Sequence, residues 1–270
     1  MGNGTTGVFF RLILATVFLV ASAAAQAGFQ EGMKAYVAGN YPVALREFKA
    51  LAIKGNAAAQ FWLGWMYNDG NGVPQDYQLA MLWYRKAADE GHMEAQFFLA
   101  EMYDKGHGVP QDYPQAAAWY RKAAVQNSAI AQHRLGVMYA YGLGVPQDDQ
   151  QAVSWYRKAA EQGNMEAQFN LGAMYRQGKG VPQDYTEAMS WYLKAAEQGN
   201  VKALFNLGEM YYQGTGVPQD LVQAYKWLGL AAFAGHEEAV KRMQIVEPRM
   251  TPKEIGEAQA LAQEWLARHK

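Results

Sequence analysis

The sequence contains no cysteine, and this absence excludes disulfide scaffolds, thiol nucleophiles, cysteine-ligated zinc and iron–sulfur clusters. A basic surplus is also absent, because 24 Lys and Arg residues stand against 25 Asp and Glu, for a formal net charge of −1. Since binding to nucleic-acid phosphates requires such a surplus, we expect no nucleic-acid partner. Serine is scarce, and no serine lies in a Ser-x-x-Lys or Gly-x-Ser-x-Gly motif of a nucleophilic enzyme.

Long apolar runs are absent except near the N-terminus, in residues 1–27. Here Arg11 precedes an apolar run (12–20) and a stretch of small residues. This order is typical of a secretory signal peptide, and the small-x-small pattern predicts cleavage after Ala25 or Ala27. The apolar run is short for a membrane span, and an uncleaved anchor is the alternative. We therefore expect an exported protein, periplasmic or secreted, that meets the membrane only transiently through this segment.

Glycine and aromatic residues are abundant, with 27 Gly, 17 Tyr and 8 Trp, and many of them belong to one repeated phrase. Gly-x-Gly-Val-Pro-Gln-Asp begins at residue 70 and returns four times, each time after 36 residues. A fixed period of this length is the signature of a repeat array. The pattern predicts a single repeat domain over 28–270, with a shortened repeat at 29–55, repeats 1 to 5 at 56–91, 92–127, 128–163, 164–199 and 200–235, and a C-terminal cap at 236–270.

Each repeat is predicted to form two helices joined by the glycine loop. Asp76 and its equivalents follow the loop as N-caps of the second helix, and in repeats 2 to 5 a Gln or Glu three residues later predicts a capping box. Gly91 ends the second helix in a left-handed conformation, with Asn127 in its place in repeat 2. Helices of about 13 and 15 residues cannot bury an apolar face alone. The predicted fold class is therefore all-α, a solenoid of stacked helix pairs.

Two kinds of residue recur at one phase and are assigned to packing. Gly or Ala at the ninth position of each repeat is expected to let the paired helices approach closely. Trp in the second helix is expected to fill the same pocket between repeats each time. These Trp residues are Trp83, Trp119, Trp155, Trp191 and Trp227.

Three strings of the phrase together resemble the Sel-one-like repeat (SLR), a relative of the tetratricopeptide repeat. They are Ala-Gln-Phe-x-Leu-Gly-x-Met-Tyr, Gly-x-Gly-Val-Pro-Gln-Asp and Trp-Tyr-Arg-Lys-Ala-Ala-x-x-Gly. The resemblance covers 56–235, and more loosely the flanking segments. It implies a right-handed α/α superhelix that serves as an adaptor, for example in bacterial envelope signalling. One branch of the family is cysteine-rich, with a proposed penicillin-binding or hydrolysing role, and the lack of cysteine separates this chain from that branch.

Candidate catalytic and metal-binding residues do not cluster in the sequence. Of the five His, His92 and His236 occupy the first position of a repeat or cap, where capping of the first helix explains them. One loop Asp in 36 residues is too sparse for a calcium site. We expect no enzymatic activity, no cofactor and no metal. The alternatives are a periplasmic hydrolase acting on cell-wall material and a structural subunit of an envelope complex.

A partner is expected to bind where the repeats differ, because the shared positions are used for packing. The sixth, tenth and thirteenth positions of each repeat form a second stripe on the first helix, which by resemblance to tetratricopeptide arrays lines the concave face. The predicted contacts, which include aromatic neighbours of the stripe, are Phe61, Trp62, Trp65, Phe97, Phe98, Glu101, Asp104, His133, Val137, Phe169, Arg176, Phe205, Glu209 and Tyr212.

Trp65 is the strongest of these candidates, since Glu, Val, Ala and Glu at the equivalent positions show that packing does not require an aromatic there. For Phe at the sixth position the alternative is packing against the next repeat. An aromatic groove edged by Glu101 and Asp104 suits a peptide with apolar anchors and a basic residue. If His133 faces the groove, its charge is expected to respond to periplasmic acidification. Apart from its partner, a protein or peptide, we expect the chain to be monomeric.

The cap departs from the repeat pattern, because it has no glycine loop of the repeated kind. Thr251, Pro252 and Glu254 predict the start of a final helix with a capping box. Its apolar stripe is expected to cover the last repeat as a lid, since an exposed end of the array would aggregate.

Overall fold

The computed structural model describes residues 24–269, and the regular secondary structure in this range is entirely helical. The predicted signal peptide (1–27) therefore lies outside the described residues, apart from its last four, which belong to the first helix. In chain order the helices are α1 (24–37), α2 (Tyr41–Ala52), α3 (Ala57–Asp69), α4 (Tyr77–Asp89), α5 (Met93–Lys105), α6 (Tyr113–Val125), α7 (Ala129–Tyr141), α8 (Asp149–Glu161), α9 (Met165–Gln177), α10 (Tyr185–Glu197), α11 (Val201–Gln213), α12 (Leu221–Phe233), α13 (Glu237–Val246) and α14 (Pro252–Arg268), with a 3₁₀ turn at Glu247–Arg249.

The predicted all-α architecture of consecutive helix pairs is confirmed. Repeats 1 to 5 are the pairs α3–α4, α5–α6, α7–α8, α9–α10 and α11–α12, and the shortened repeat is the pair α1–α2. The helices fall into two compact halves, which divide between residues 123 and 124. We describe the N-terminal half (24–123) and the C-terminal half (124–269) separately. In the part of the chain from 24 to 269, no helix is both long and apolar enough to cross a membrane.

The repeated loop is held by three hydrogen bonds that explain its sequence. In repeat 1 the Gln75 side-chain amide donates to the carbonyl of Asn68 at 2.7 Å. The backbone N–H of Asp76 donates to the carbonyl of Tyr67 at 2.9 Å, and the Asp76 carboxylate accepts from the N–H of Leu79 at 2.9 Å. The same three bonds recur in the other four repeats. Gln and Asp thus join the end of the first helix to the start of the second.

These bonds correct the expected capping boxes of repeats 2 to 5. A capping box requires the Gln or Glu side chain to bond the backbone N–H of the capping Asp. That N–H is already bonded to a Tyr carbonyl, as in the pair Asp148 and Tyr139 at 3.0 Å. The Asp side chain still caps the helix, but the reciprocal bond is replaced. The box predicted at Thr251 and Glu254 is complete.

Positive backbone φ angles occur where the repeat pattern predicts them. Gly91 has φ +89°, and Asn127 in repeat 2 has φ +74°, which makes it the one non-glycine residue of the described range in this conformation. Asn tolerates the left-handed region because its short polar side chain can bond locally. The second helices have 13 residues rather than about 15, because this left-handed residue follows closely.

In the core of repeats 1, 3 and 4, a tyrosine of the second helix packs against a glycine of the first. A Cβ atom at Gly64 would lie 2.8 Å from Cδ1 of Tyr84, whose side chain is fully buried. The same contact joins Gly136 to Tyr156 and Gly172 to Tyr192. The close approach expected at the ninth position is therefore confirmed.

The neighbouring Trp is less uniform than predicted. Trp119, Trp191 and Trp227 are buried, whereas Trp83 and Trp155 are only half-buried. In repeats 1 to 4 a Lys ammonium three residues later lies 3.6–4.4 Å from the centre of the Trp ring. The expectation that Trp fills the same pocket in every repeat is therefore wrong for repeats 1 and 3, where the neighbouring Tyr84 and Tyr156 are buried in the core instead.

The lid expected at the C-terminus is confirmed. Helix α14 packs on α12, with Ala258 fully buried and the Trp265 ring edge-on to Trp227 at 5.9 Å. The apolar face of α12 is covered by this contact, and α13 packs beside it. The last repeat consequently buries its core as the inner repeats do.

The second glycine of the loop allows the loop to approach the preceding repeat closely, and a matched pair of variants can test this role. Gly180 and Gly199 both have positive φ, at +68° and +87°. A Cβ at Gly180 would overlap the backbone carbonyl of Asp149, whereas nothing lies within 4 Å of a Cβ at Gly199. Gly199→Ala should cost about 1–2 kcal/mol from the backbone conformation alone. Gly180→Ala should cost about 2 kcal/mol more, because the overlap forces the chain apart.

Urea unfolding of the two variants measures this difference. Equal unfolding free energies for Gly180→Ala and Gly199→Ala would show that the loop does not pack tightly against α8.

Candidate functional site

The predicted contact residues divide between the two halves. Twelve of them lie on the first-helix face, which we define as the sixth, tenth and thirteenth positions of each repeat on α3, α5, α7, α9 and α11, and Trp62 and Phe98 are their aromatic neighbours at the seventh position. The N-terminal half contains seven of them, Phe61, Trp62, Trp65, Phe97, Phe98, Glu101 and Asp104. The C-terminal half contains the other seven, His133, Val137, Phe169, Arg176, Phe205, Glu209 and Tyr212.

In the N-terminal half, the aromatic members come together in one cluster with a tyrosine that the repeat pattern did not single out. We name this set the aromatic cluster: Tyr36, Phe61, Trp62, Trp65, Phe97 and Phe98. Neighbouring rings have centroids 5.0–6.4 Å apart, within the range of favourable aromatic contact. Five of the predicted contact residues therefore lie together with Tyr36 in one group of rings.

Trp65 is held in a defined orientation. Its indole N–H donates to the hydroxyl of Tyr36 at 2.9 Å, and the same hydroxyl accepts from the Asn71 side chain at 2.9 Å. The Trp65 ring meets Phe98 edge-on at 5.1 Å and remains half-buried. Tyr36 lies in α1, outside the full repeats. An alignment on the loop glycine would have found it, because Tyr36 precedes Gly39 by three residues as Tyr67 precedes Gly70.

Phenylalanine at the sixth position has a packing role in each repeat that carries it. Phe61 is buried, and its ring lies 5.7 Å from Tyr84 of the same repeat. Phe97 and Phe169 are half-buried and make the same contact with the corresponding Tyr. The packing partner is thus the second helix of the same repeat, rather than only the next repeat as expected.

The two capping histidines complete this packing. The ring of His92 accepts the N–H of Ala95 and stacks on Phe61 at 5.0 Å. His236 accepts the N–H of Ala239 and stacks on Phe205 at 4.5 Å. The capping role predicted for both residues is confirmed, and the stacking adds a second reason for an aromatic ring at this position.

The acidic candidates of the N-terminal half are engaged differently. Glu101 is half-buried and pairs with the ammonium of Lys105 at 3.0 Å. Asp104 accepts the hydroxyl of Tyr120 at 3.2 Å. A cleft of about 270 Å³ adjoins the aromatic cluster and is named cleft A. Its lining includes Asp69, Tyr77, Tyr84, Phe98, Glu101 and Lys105.

His133 lies in the C-terminal half in a setting that keeps it neutral. Its ring accepts the side-chain amide of Asn170 at 3.0 Å and lies 5.8 Å from the ring of Tyr156. Burial lowers the pKa of His133 to about 4, and the adjacent charge of Arg134 acts in the same direction. The expected response to acidification between pH 5 and 8 is therefore wrong for the charge of the folded protein. Val137, one turn later, is half-buried and packs on the group of buried apolar residues that contains Tyr156.

Glu209 and Tyr212 are engaged by the cap rather than open to a partner. Glu209 is buried and pairs with the guanidinium of Arg242 at 2.6 Å. Burial raises the pKa of Glu209, while Arg242 opposes that shift. The guanidinium groups of Arg242 and Arg249 lie 5.5 and 5.3 Å from the Tyr212 ring. Arg176, which is half-buried, adds its charge to the field at Glu209. These predicted contacts therefore have partners within the chain.

Within residues 24–269, no group of three or more His, Asp or Glu side chains is placed to hold a metal ion. The three apolar and aromatic candidates of the C-terminal half, Val137, Phe169 and Phe205, pack with residues of their own helix pair or its neighbour. The aromatic cluster is consequently the place where predicted contacts lie together.

Comparison with known proteins agrees with this architecture. The Sel1 repeat model matches five segments, 57–92, 94–128, 129–164, 166–200 and 201–236. The chain belongs to the Sel1 repeat family. Proteins with Sel1 repeats generally mediate protein–protein interactions. The boundaries agree with the predicted repeats to within two residues.

Two solved structures are similar over most of the chain. A Sel1 repeat protein from Oxalobacter formigenes is 33% identical, with a TM-score of 0.74 over 90% of this chain and 96% of that one. A protective antigen present in uropathogenic Escherichia coli strains, displaying an SLR fold, is 40% identical, with a TM-score of 0.76 over 84% of this chain. The matched region spans 49% of that antigen, about half its length. No curated protein matches the chain significantly.

The lowered pKa of His133 predicts that the free energy of unfolding depends on pH, because the unfolded chain takes up a proton at His133 at a higher pH than the folded chain does. Below its ordinary pKa of about 6.5 the unfolded chain binds a proton at His133, but the folded chain does so only near pH 4. The contribution of neutral His133 to the free energy of unfolding is complete above pH 6.5 and is lost as the pH falls toward 4. At pH 5 the loss should be about 2 kcal/mol relative to pH 7. His133→Gln should remove this part of the slope, and unfolding at both pH values measures it. An unchanged slope would mean that His133 is solvated in the folded state.

The pair of Glu209 and Arg242 predicts a second stability effect. Arg242→Met leaves the buried Glu209 carboxylate without its cationic partner, with only the hydrogen bond from Gln213, and should cost about 3 kcal/mol. The double variant Glu209→Gln with Arg242→Met should recover most of that loss, since no buried charge remains. A double-mutant cycle from urea unfolding gives the coupling. If Arg242→Met is as stable as the wild type, Glu209 is open to solvent and available to a partner.

Proposed function

We propose that this protein is a non-catalytic scaffold that binds a partner protein or peptide on the first-helix face, the predicted concave face of the array. Its family generally mediates protein–protein interactions, which supports the class of function. The observation that carries the location is Trp65. It is only partly buried, on a face where the other repeats have Glu, Val, Ala and Glu, so the helix pair does not need a Trp there for packing.

The surroundings of Trp65 suit an anchor for binding. Its hydrogen bond to Tyr36 and its contact with Phe98 hold the indole in place before any partner arrives. A side chain fixed in this way loses little conformational entropy on binding. Tryptophan is also among the residues enriched in binding hot spots. The N-terminal half is therefore the proposed centre of the interface.

The proposed location is the bacterial cell envelope, in the periplasm or outside the cell. The support for it is the order of charge, apolar run and small residues in 1–27, which is typical of a cleaved signal peptide. The scaffold is proposed to act as a monomer with its partner. Because the partner meets an aromatic surface of defined shape, apolar anchors in the partner are expected to dominate affinity.

The test is a cross-linking pull-down from envelope extract with wild-type protein and Trp65→Ala as baits. Any partner captured by the wild type should be lost or bound at least about tenfold more weakly by Trp65→Ala, because a hot-spot truncation costs about 2 kcal/mol or more. Affinity is then measured with the purified partner. Thermal melting confirms that the variant folds. Trp65→Phe keeps an aromatic, though smaller, ring and removes the hydrogen bond to Tyr36.

Leu82→Ala is the matched control, since Leu82 is a large apolar side chain, 47% exposed, on the second helix of the same repeat. It should bind the partner as the wild type does. A partner that Trp65→Ala retains and Leu82→Ala loses would move the interface to the second helices and refute the proposal.

A further inference from the structure

The first helices of neighbouring repeats enclose a cleft that recurs along the chain. Cleft A in the N-terminal half has a counterpart of about 130 Å³ in the C-terminal half, which we name cleft B. Every lining residue of cleft B lies two repeats after its counterpart in cleft A. The two clefts share a floor tyrosine, Tyr84 in one and Tyr156 in the other. The repeat architecture therefore supplies the cleft, and the variable side chains decide what fits it.

Cleft A is larger and more acidic than cleft B. At the positions of Asp69 and Glu101, cleft B has Tyr141 and Ala173. The lining of cleft A contains two carboxylates and one ammonium, that of Lys105, whereas the lining of cleft B contains one carboxylate and one ammonium. The excess negative charge is thus a property of cleft A alone among these two.

An unpartnered polar group lies in the wall of cleft A. The side chain of Tyr84 is fully buried, and its hydroxyl has no hydrogen-bond partner. In repeat 2 the equivalent hydroxyl, that of Tyr120, donates to Asp104. Burial raises the pKa of Tyr84, and the charges of Asp69 and Glu101 raise it further, so the hydroxyl stays protonated. Its oxygen remains able to accept a hydrogen bond from a group that enters the cleft.

Aromatic rings also line cleft A, beside Asn68, Gln75 and Met102. The rings of Tyr84 and Phe98 stack at 5.7 Å with an interplanar angle of 20°, and the Tyr77 ring, also in the lining, stacks on His107 at 5.3 Å. A cation on an alkyl stem fits this combination, because the stem packs against the rings and the charged end donates to carboxylates and hydroxyl. An anion would meet the two carboxylates, and a purely apolar group would leave the Tyr84 hydroxyl unpaired.

We propose that cleft A is the socket for a lysine or arginine side chain of the partner. This inference rests on the proposed function, because cleft A adjoins the aromatic cluster through Phe98 and would be filled by the same bound chain. The partner's apolar anchor then packs on Trp65 while its cationic side chain enters between α3 and α5. Glu101 exchanges its pairing with Lys105, at 3.0 Å, for the cation of the partner.

The probe is a library of displayed random peptides selected on the purified protein. Enriched peptides should share a Lys or Arg at a fixed distance from an aromatic or apolar residue. The double variant Asp69→Asn/Glu101→Gln removes both negative charges with little change of shape. It should bind a synthetic peptide of the enriched sequence at least about tenfold more weakly than the wild type does. Asp149→Asn, in the lining of cleft B, is the matched control and should bind that peptide as the wild type does.

Lys105→Gln moves the affinity in the opposite direction. It removes the ion pair of Lys105 with Glu101 and the one ammonium in the lining of cleft A, so the same peptide should bind more tightly than to the wild type. A gain of affinity of this kind does not arise from partial unfolding. Thermal melting of all variants accompanies the titrations.

The outcomes separate the socket from the scaffold. Enriched peptides that lose binding with Trp65→Ala but carry no shared basic residue, or bind the Asp69→Asn/Glu101→Gln variant equally well, would overturn the socket and leave the proposed function in place. Enriched acidic peptides would do the same. No enrichment on the wild type over an unrelated protein would overturn both proposals.

Discussion

The hydrogen bond from the loop Asp to the Tyr carbonyl of the preceding helix is the constraint on which each repeat depends. It is 2.9–3.0 Å long in all five repeats. Together with the Gln side chain that bonds the end of the first helix, it sets where the second helix begins and how it returns. With the return fixed, a glycine of the first helix faces a tyrosine of the second in repeats 1, 3 and 4, as Gly64 faces Tyr84. The recurring core residues lie on the face of the first helix that packs on the second, whereas the residues of the first-helix face differ among the repeats.

The variable positions of the first-helix face carry different kinds of residue in the two halves. In the N-terminal half several of these positions carry aromatic rings, and Trp65 is fixed by Tyr36 while remaining only partly buried. In the C-terminal half several of the same positions are engaged within the chain. His133 accepts from Asn170, and Glu209 pairs with Arg242 of the cap. Under the proposed function, a partner would meet Trp65 already held in one orientation in the N-terminal half.

Clefts A and B show how an identical backbone framework can give different chemistry. Their floor tyrosines lie at the same phase, because the fold places them. Cleft A has Asp69 and Glu101 where cleft B has Tyr141 and Ala173. The charge of the two clefts therefore differs, although both are built from equivalent helix pairs and loops. Recognition in a repeat protein can therefore be altered by a few side chains at modest cost in stability, since the packing residues stay the same.

The sequence by itself determined the repeats, the helix pairs, the capping Asp residues and the left-handed Asn127, because each depends on residues within one phrase. It also pointed to Trp65, through the contrast among equivalent positions. Only the tertiary structure decided the role of Tyr36, the unpartnered hydroxyl of Tyr84 and the pairing of Glu209 with Arg242. These features join residues far apart in the chain, and the burial that sets their charge and hydrogen bonding exists only once the helices have packed.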